Sequence, residues 1–449
     1  MPRTVDLNSS VGRVAQTIGS QTVRVLLGAV TGVLIARAIQ PEGRGIYSVI
    51  ATTALTAIVL GHLSVEKSQI YLWTDQTRHR ALIANSLVLG LTLGTVTAVI
   101  GVALMTVGAM PTTSPLLALA LLTVPFGVAA TNLRGIASLQ SRIDIVNRGT
   151  VATALAQCLP LLVFTAIGQV TVTSVIVCWV ISIVLPFVLL VRSIRPRPLR
   201  MEGALACRQI ALGSRYHLGL VAFYLLMTVD VLLLNAMDSA TAVGIYTVAV
   251  TMLSLTCIPA ESITRVVLPR QAHGDIHQAE QITARALRLN LALSSAFIGA
   301  LAVVSPVLIP LVYGRSFAGS VTPLLALAPG MVALSLIRPV EQYLVRLGRP
   351  ISMTLVAVGA LTANVLLNLA LIPRWGALGA ALASTAAYIL MALIEVSWFA
   401  RSARIPLRAL LPRLADVRAV LTPVRSALTP LAPSRVITRR RRRSGQRAG

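Results

Sequence analysis

Ionisable side chains are rare in the apolar stretches of this 449-residue chain, and the few found there carry its chemistry. Arg24 sits near the middle of the first apolar run, residues 16–36. A charge at that depth in a bilayer costs about 2.5–3.5 kcal/mol on insertion scales and rarely faces lipid. Gln16, Ser20, Arg24, Gly28 and Thr31 recur at helical spacing, giving one polar or small face. That face is expected to line a cavity, where the flat, permanently charged guanidinium suits phosphate oxygens. A second reading makes Arg24 the structural ion-pair partner of Asp230 in the seventh run. Asp230 is open to two roles of its own, carrying a proton or sodium ion or tuning the cavity and answering Arg24. The substrate-binding candidates are therefore Arg24, Gln16, Ser20 and Asp230.

A second set lies at the ends of apolar runs. Arg134, Arg338, Glu341 and Arg270 are read as inner-gate candidates, against the simpler role of end-anchoring. Glu66, Glu261 and Arg265 also fall near run ends, where snorkelling and solvated pairing are expected. Gly28-x-x-x-Gly32 and Gly90-x-x-x-Gly94 allow close helix packing, and Asn364 with Asn368 shares one face for interhelical hydrogen bonding. Other chemistries are set aside. The chain has a single lysine, Lys67, so no Walker A Gly-Lys exists for ATP. His273-Gly-Asp-Ile-His277 has a metal-like spacing without further ligands. Cys158, Cys178, Cys207 and Cys257 are scattered, three of them in apolar runs as small fillers. No cofactor and no metal are expected. The loops that a polymerase or transferase would need are short, and residues 168–171 hold no ionisable group, so an enzyme is not expected.

Composition fixes the elements that hold these residues. Hydrophobic residues make up 56% of the chain, charged ones 12%, and mean hydropathy is +0.81. Soluble domains carry about a quarter charged residues. Twelve runs of about bilayer length fall at 16–36, 46–65, 82–107, 116–133, 146–167, 172–191, 218–237, 243–263, 289–312, 324–344, 352–372 and 377–399. They are too long and too apolar for barrel strands. The expected class is an all-α polytopic membrane protein of twelve helices in two six-helix lobes. The lobes cover 1–191 and 216–400, with a cytoplasmic linker at 192–215 and a basic cytoplasmic tail at 401–449.

The net charge of +25 does not point to nucleic acid. Thirteen Arg and one Asp in residues 401–449 give 13 − 1 = +12 of it. With the N-terminus inside, the outward turns hold only Arg37, Arg44, Arg315 and Arg374, and the inward segments hold nearly all other basic residues. This positive-inside asymmetry places both termini in the cytoplasm. Ala36-Arg37-Ala38 after residues 25–35 has the form of a signal-peptide site, but cleavage there would strand one helix of a six-helix set.

Gly45-Ile-Tyr-Ser-Val49 recurs as Gly244-Ile-Tyr-Thr-Val248, an offset of 199. Leu121/Leu325, Pro125/Pro329, Val128/Val332, Ala129/Ala333, Arg134/Arg338 and Arg142/Arg346 align at an offset of 204. About five extra residues near His273 absorb the shift. Six helices return the chain to the same side, so the halves form a parallel repeat.

Pro41-Glu-Gly-Arg-Gly-Ile-Tyr47 after Ala36-Arg37 resembles the opening of the oligosaccharide flippases, the polysaccharide biosynthesis branch of the multidrug/oligosaccharidyl-lipid/polysaccharide exporter superfamily. Asp230-Val-Leu-Leu-Leu before Val243-Gly-Ile-Tyr, Leu268-Pro-Arg270, Leu347-Gly-Arg349 and Asn368-Leu-Ala-Leu-Ile-Pro-Arg-Trp-Gly376-Ala-Leu-Gly379 are similar to the same family. Arg37, Pro41, Gly43, Gly45, Tyr47, Gly244, Tyr246, Gly376 and Gly379 are expected as structural family markers, with Pro41–Tyr47 an outward hairpin turn. Val231 departs from the Arg often found there, and the Arg-rich tail is longer. The resemblance implies two lobes rocking about a central cavity, moving an undecaprenyl-pyrophosphate-linked glycan from inner to outer leaflet of the cell inner membrane. Arg24 would then contact the pyrophosphate. The alternatives are a lipid II flippase, a cation-coupled multidrug antiporter and, in another class, a membrane glycan polymerase or ligase. Expected partners are the lipid-linked glycan, membrane lipids including anionic lipid at the basic tail, and glycan polymerase or export machinery, without nucleic acid.

Overall fold

The computed structural model describes residues 7–196, 201–259, 275–347 and 350–412, and every regular element among them is helical. In a hydrocarbon solvent each backbone N–H and C=O must be satisfied within its own segment, which leaves helix as the choice for these runs. The apolar runs are mostly helical in their described parts, but the divisions differ from those expected, and turns at 62–64, 122–123 and 227–228 interrupt three of the runs. Helix α1 (Leu7–Gly61) takes the first two, followed by α2 (Val65–Leu72), α3 (His79–Thr106), α4 (Pro115–Leu121), α5 (Val124–Leu139), α6 (Ile143–Ala166) and α7 (Val172–Ile194). Then come α8 (Gly203–Leu226), α9 (Val229–Met237), α10 (Ala240–Thr256), α11 (Ile276–Tyr313), α12 (Val321–Arg346) and α13 (Pro350–Ser402), the last again holding two runs.

Two of these helices are hairpins. In α1 the single non-helical residue is Gln40, at φ 58° and ψ 180°. Arg44 Nη1 donates to the Gly32 carbonyl at 2.8 Å. Twelve residues of straight helix would separate them by about 18 Å, so the two arms fold back on each other. The same argument holds for α13, broken at Gly376 with φ 52°. Asn364 Nδ2 lies 3.3 Å from Ser384 Oγ, positions about 30 Å apart along a straight helix. The expected turn from Pro41 to Tyr47 is therefore one residue earlier and one residue long. Pro41 opens the second arm, where its missing N–H costs nothing and its fixed φ suits a first helical position.

Eight helical stretches among the described residues are long and apolar enough to cross a membrane, or nine if α8 and α9, bent by 49°, count as one span. Their outer faces are apolar. Val303 is 80% exposed, Val307 73% and Leu311 68%, a stripe at i, i+4 and i+8 on α11. So large an apolar surface requires lipid, and the protein is a multi-pass membrane protein.

Side chains pack into two main cores. One is built almost wholly from residues 222–392, around Tyr246, Phe317, Leu324 and Tyr388, with Ala36 and Val49 reaching in from α1. The other draws Ile50, Leu121, Val128, Ile176 and Trp179 from the first half. Gly90 and Gly94 make the close packing expected of them: a Cβ at either would overlap Ala129 or Pro125 of α5. Gly28 and Gly32 face open space, so their expected packing is absent. The basic segment expected as a linker is helical from Gly203 onward and continuous with the seventh run. Its start is held by the first half, where Asn85 Nδ2 donates to the Glu202 carbonyl (3.0 Å) and Glu202 N donates to Asn85 Oδ1 (2.9 Å). Helix α8 thus begins on one half and ends in the core of the other.

Candidate functional site

The two halves meet tightly at the hairpin end of the molecule. A Cβ at Gly45 would overlap the carbonyl of Ala240, and a Cβ at Gly244 would overlap the carbonyl of Pro41. These contacts are reciprocal, since 41 and 240, like 45 and 244, are 199 residues apart. Ser48 Oγ and Thr247 Oγ1, again 199 apart, lie 3.4 Å from each other across the same crossing. Only glycine lets two helices approach this closely, backbone on backbone. The repeat noticed in the sequence is therefore also a contact: its two copies touch.

Polar ties flank this crossing. Arg37 Nε and Nη2 donate to the carbonyls of Val312 (2.8 Å) and Leu311 (2.6 Å). Those carbonyls lie in the last turn of α11, where helix acceptors are left free and carry partial negative charge. Gln40 holds its left-handed backbone by donating from Nε2 to the Arg37 carbonyl (2.9 Å) and accepting from Ser316 Oγ at Oε1 (2.8 Å). Arg44, buried, reaches Thr251 Oγ1 (3.3 Å) and lies 5.7 Å from the centre of the Tyr313 ring. Tyr47 accepts from Gln157 Nε2 at 3.0 Å. Gly43 packs on Val172. Gly376 sits against Asp238, and Gly379 against the Leu371 backbone across its own hairpin. The family-marker residues other than Tyr246 thus lie at the hairpin turns or at contacts between helices.

Away from this end, the first arm of α1 stands apart. Arg24 is exposed and, among the described residues, donates to Gln21 Oε1, at 2.9 Å on its own helix. Val23, Leu26 and Val30 are also exposed, at 40%, 61% and 44%. This arm is thus exposed on both its charged and its apolar side. Gln16 is exposed on the same arm, whereas Ser20 and Thr31 are buried, so the small polar face is only partly open.

Asp230 belongs to a different centre. Thr228 departs from helical backbone (φ −138°), and Asp230 in the first turn of α9 accepts from the Val231 N–H at 2.9 Å. Tyr246 donates its hydroxyl to Asp230 Oδ2, and Ser384 Oγ does so at 3.1 Å. Asn364 bonds Ser384, and Asn368 Nδ2 donates to the Asn364 carbonyl (2.9 Å) and Oδ1 (3.0 Å). All five are buried to 1% exposure or less. The ion pair between Arg24 and Asp230 is absent: each has other partners. The Asn364–Asn368 face is used for hydrogen bonding, as expected, but toward a carboxylate. Asp230 also lines a cavity of about 260 Å³ whose other walls include Phe223, Asn290, Met331, Tyr388 and Arg338. Of the substrate candidates Asp230, and of the gate candidates Arg338, share this cavity; Arg24, Gln16, Ser20, Arg134 and Glu341 are not among its lining residues.

Arg338 lies over the Phe223 ring at 5.2 Å and 3.7 Å from Glu341. Arg134 is exposed at the matching end of α5. Arg270, with Glu261, Arg265 and His273, lies outside the described residues, as does the tail from 413 onward. Among the described residues no group of three or more metal-type ligands occurs. Sequence reasoning missed two features. Tyr246 was read as a marker only, yet it is the partner of Asp230. Glu395, 1% exposed in the twelfth run, is the other. The scan for charges inside apolar runs that found Arg24 would have found it too.

The family described as "Polysaccharide biosynthesis protein" matches residues 12–273, more than half of the chain. No curated protein sequence matches it. Among solved structures, the fold is similar to a lipid II flippase MurJ in an inward closed conformation, with TM-score 0.71 and 15% identity over 93% of each chain. An inward-facing multidrug resistance MATE family transporter of the MOP superfamily gives 0.67 and 14% over 86% of this chain and 98% of that one. An outward-facing transporter of the same description gives 0.60 and 14% over 87% and 94%.

Proposed function

This chain belongs to the polysaccharide biosynthesis protein family, and on that premise we propose that it is a lipid-linked oligosaccharide flippase. It carries an undecaprenyl-pyrophosphate-linked glycan from the inner to the outer leaflet by alternating access, for cell-surface polysaccharide synthesis. The observation that carries this reading is the asymmetry of the bundle. The halves are locked at Gly45 and Gly244, while the arm bearing Arg24 stands open. With the hairpin end outward and both termini in the cytoplasm of the inner membrane, this is the loading state.

Twelve crossings related by a parallel repeat then form lobes 1–191 and 216–400, joined through α8. Arg24, with Gln16 and Ser20, receives the pyrophosphate. Arg134, Arg338, Glu341 and Arg270 form the inner gate, and the glycan leaves toward polymerase or export machinery outside. Moving an anion outward across an inside-negative membrane is downhill by about 2.3 kcal/mol per charge per 100 mV, so a diphosphate with roughly two charges gains about 5 kcal/mol. No coupling ion is required for that direction.

A second reading is favoured by the Asp230 centre. A carboxylate buried this deeply among hydroxyls and amides can take up a cation, which fits a cation-coupled transporter, either a lipid II flippase or a multidrug antiporter. Deleting the protein separates the readings. The expected result is an oligosaccharide-bearing lipid accumulating on the inner leaflet. Accumulated lipid II, or altered drug sensitivity without any accumulated glycolipid, overturns the leading reading.

A further inference from the structure

The chain leaves α13 through a sharp, pinned elbow. Ile405 N donates to the Ala400 carbonyl (2.9 Å) and Arg404 N to the Arg401 carbonyl (3.3 Å), the paired bonds of a Schellman closure. The left-handed position of that closure is normally glycine; here it is Arg404, at φ 53°. Beyond the elbow, Leu410 is buried among α11 and α12 residues, and Arg288 Nη1 donates to the Ala409 carbonyl at 3.3 Å. An arginine held at a glycine position in a fixed turn points to a use for its side chain.

Two clefts flank the elbow. One, of about 440 Å³, is lined by Ser397, Arg401, Arg404, Ile405, Pro406 and Leu407. The other, of about 450 Å³, is lined by Leu393, Ile394, Ser397, Trp398 and Arg401. Both share Ser397 and Arg401. Toward the membrane the wall is apolar, with Leu393 62% and Ile394 41% exposed. Trp398 lines the same cleft as Leu393, Ile394 and Arg401, and indole rings favour the membrane–water interface. Among the described residues, no side-chain hydrogen bond or ion pair engages Arg401 or Arg404.

We propose that this elbow binds the headgroup of an anionic membrane phospholipid, with Arg401 and Arg404 on its phosphate and an acyl chain along Leu393, Ile394 and Trp398. Paired guanidinium forks match a phosphate diester. The apolar wall selects a lipid over a free phosphate. The site lies on the lipid-facing side of the last helix, away from Arg24 and Asp230, and it requires only that the helices span a bilayer, not the transport reading.

The test uses the full chain in vesicles of phosphatidylcholine with or without phosphatidylglycerol. Retained lipid is read by native mass spectrometry, and thermal unfolding is read in parallel. Phosphatidylglycerol is expected to be retained and to raise the Tm of the native protein. Arg401→Gln with Arg404→Gln should weaken retention about tenfold, since two charge-assisted contacts are lost. Arg404→Gly, which suits the backbone there, controls for folding and should lose part of the effect with an unchanged helical spectrum. Equal retention by the double variant overturns the proposal. So does displacement of the lipid by inorganic phosphate, or by undecaprenyl pyrophosphate at equimolar level, which would make this a subsite of the transported lipid.

Discussion

Asp230 takes its partners from the second half of the chain and not from Arg24. A lone acid in an apolar run invites pairing with a lone base, and Arg24 was available. The carboxylate instead takes hydroxyls from Tyr246 and Ser384 and the N–H of Val231. Tyr246→Phe removes one donor from a buried carboxylate. It is expected to cost about 1–3 kcal/mol, read as a lower Tm in detergent, while Asp230→Asn should be milder because an amide still accepts from the tyrosine. Arg24 has no such duties. Arg24→Ala should leave Tm nearly unchanged and reduce flipping at least tenfold, with Arg24→Lys intermediate because an ammonium keeps charge but not the fork. Adding Asp230→Asn should not restore it, since the two residues do not touch; restoration in a vesicle flipping assay would revive the ion pair.

Among elements, the crossing of the second arm of α1 with α10 is a backbone-on-backbone contact between the halves, and on the proposed function it sets which side is open. Gly45→Leu puts a side chain where the Ala240 carbonyl lies. The expected outcome is a bundle that cannot close at the hairpin end: a cysteine at Thr247 becomes reactive to a water-soluble maleimide added outside, and flipping falls. Ser48→Cys with Thr247→Cys tests the converse. Their hydroxyl oxygens are 3.4 Å apart, so oxidation should join them and stop transport, and reduction should restore it. Transport that continues with the bridge formed would show that the crossing never opens. The sequence exposed both glycines as a motif, but contact between the copies is a property of packing. No offset in a sequence tells whether two repeats face each other or face away.

At the scale of the whole molecule, the arrangement is a helical bundle inside an apolar coat, its halves joined at the Gly45–Gly244 crossing and again where α8 packs on the first half. If the transported headgroup is anionic and no ion is coupled, collapsing the membrane potential should slow flipping in vesicles, and imposing an inside-negative potential should speed it. An equal response to a sodium gradient at zero potential would move the balance to the cation-coupled reading through Asp230.

Helical class, the apolar character of the spans and the family were legible in the sequence. They depend on composition and on local periodicity, which lipid as a solvent translates directly into helix. The hairpin was placed a residue late because Gln40 carries no turn signature; its left-handed backbone is held by Ser316, 276 positions away. The basic segment 192–215 reads as a linker because its charge masks apolar periodicity, yet residues 203–215 lie on the helix that continues into the seventh run. What only the tertiary structure decided is partnership: Arg24 free of Asp230, Tyr246 bonded to it, Arg338 sharing its cavity, and the two Gly-Ile-Tyr copies pressed together. Each is a contact between residues far apart in the chain. Which far residues meet is set by how apolar faces pack, and one face offers many equivalent partners until the whole bundle has closed.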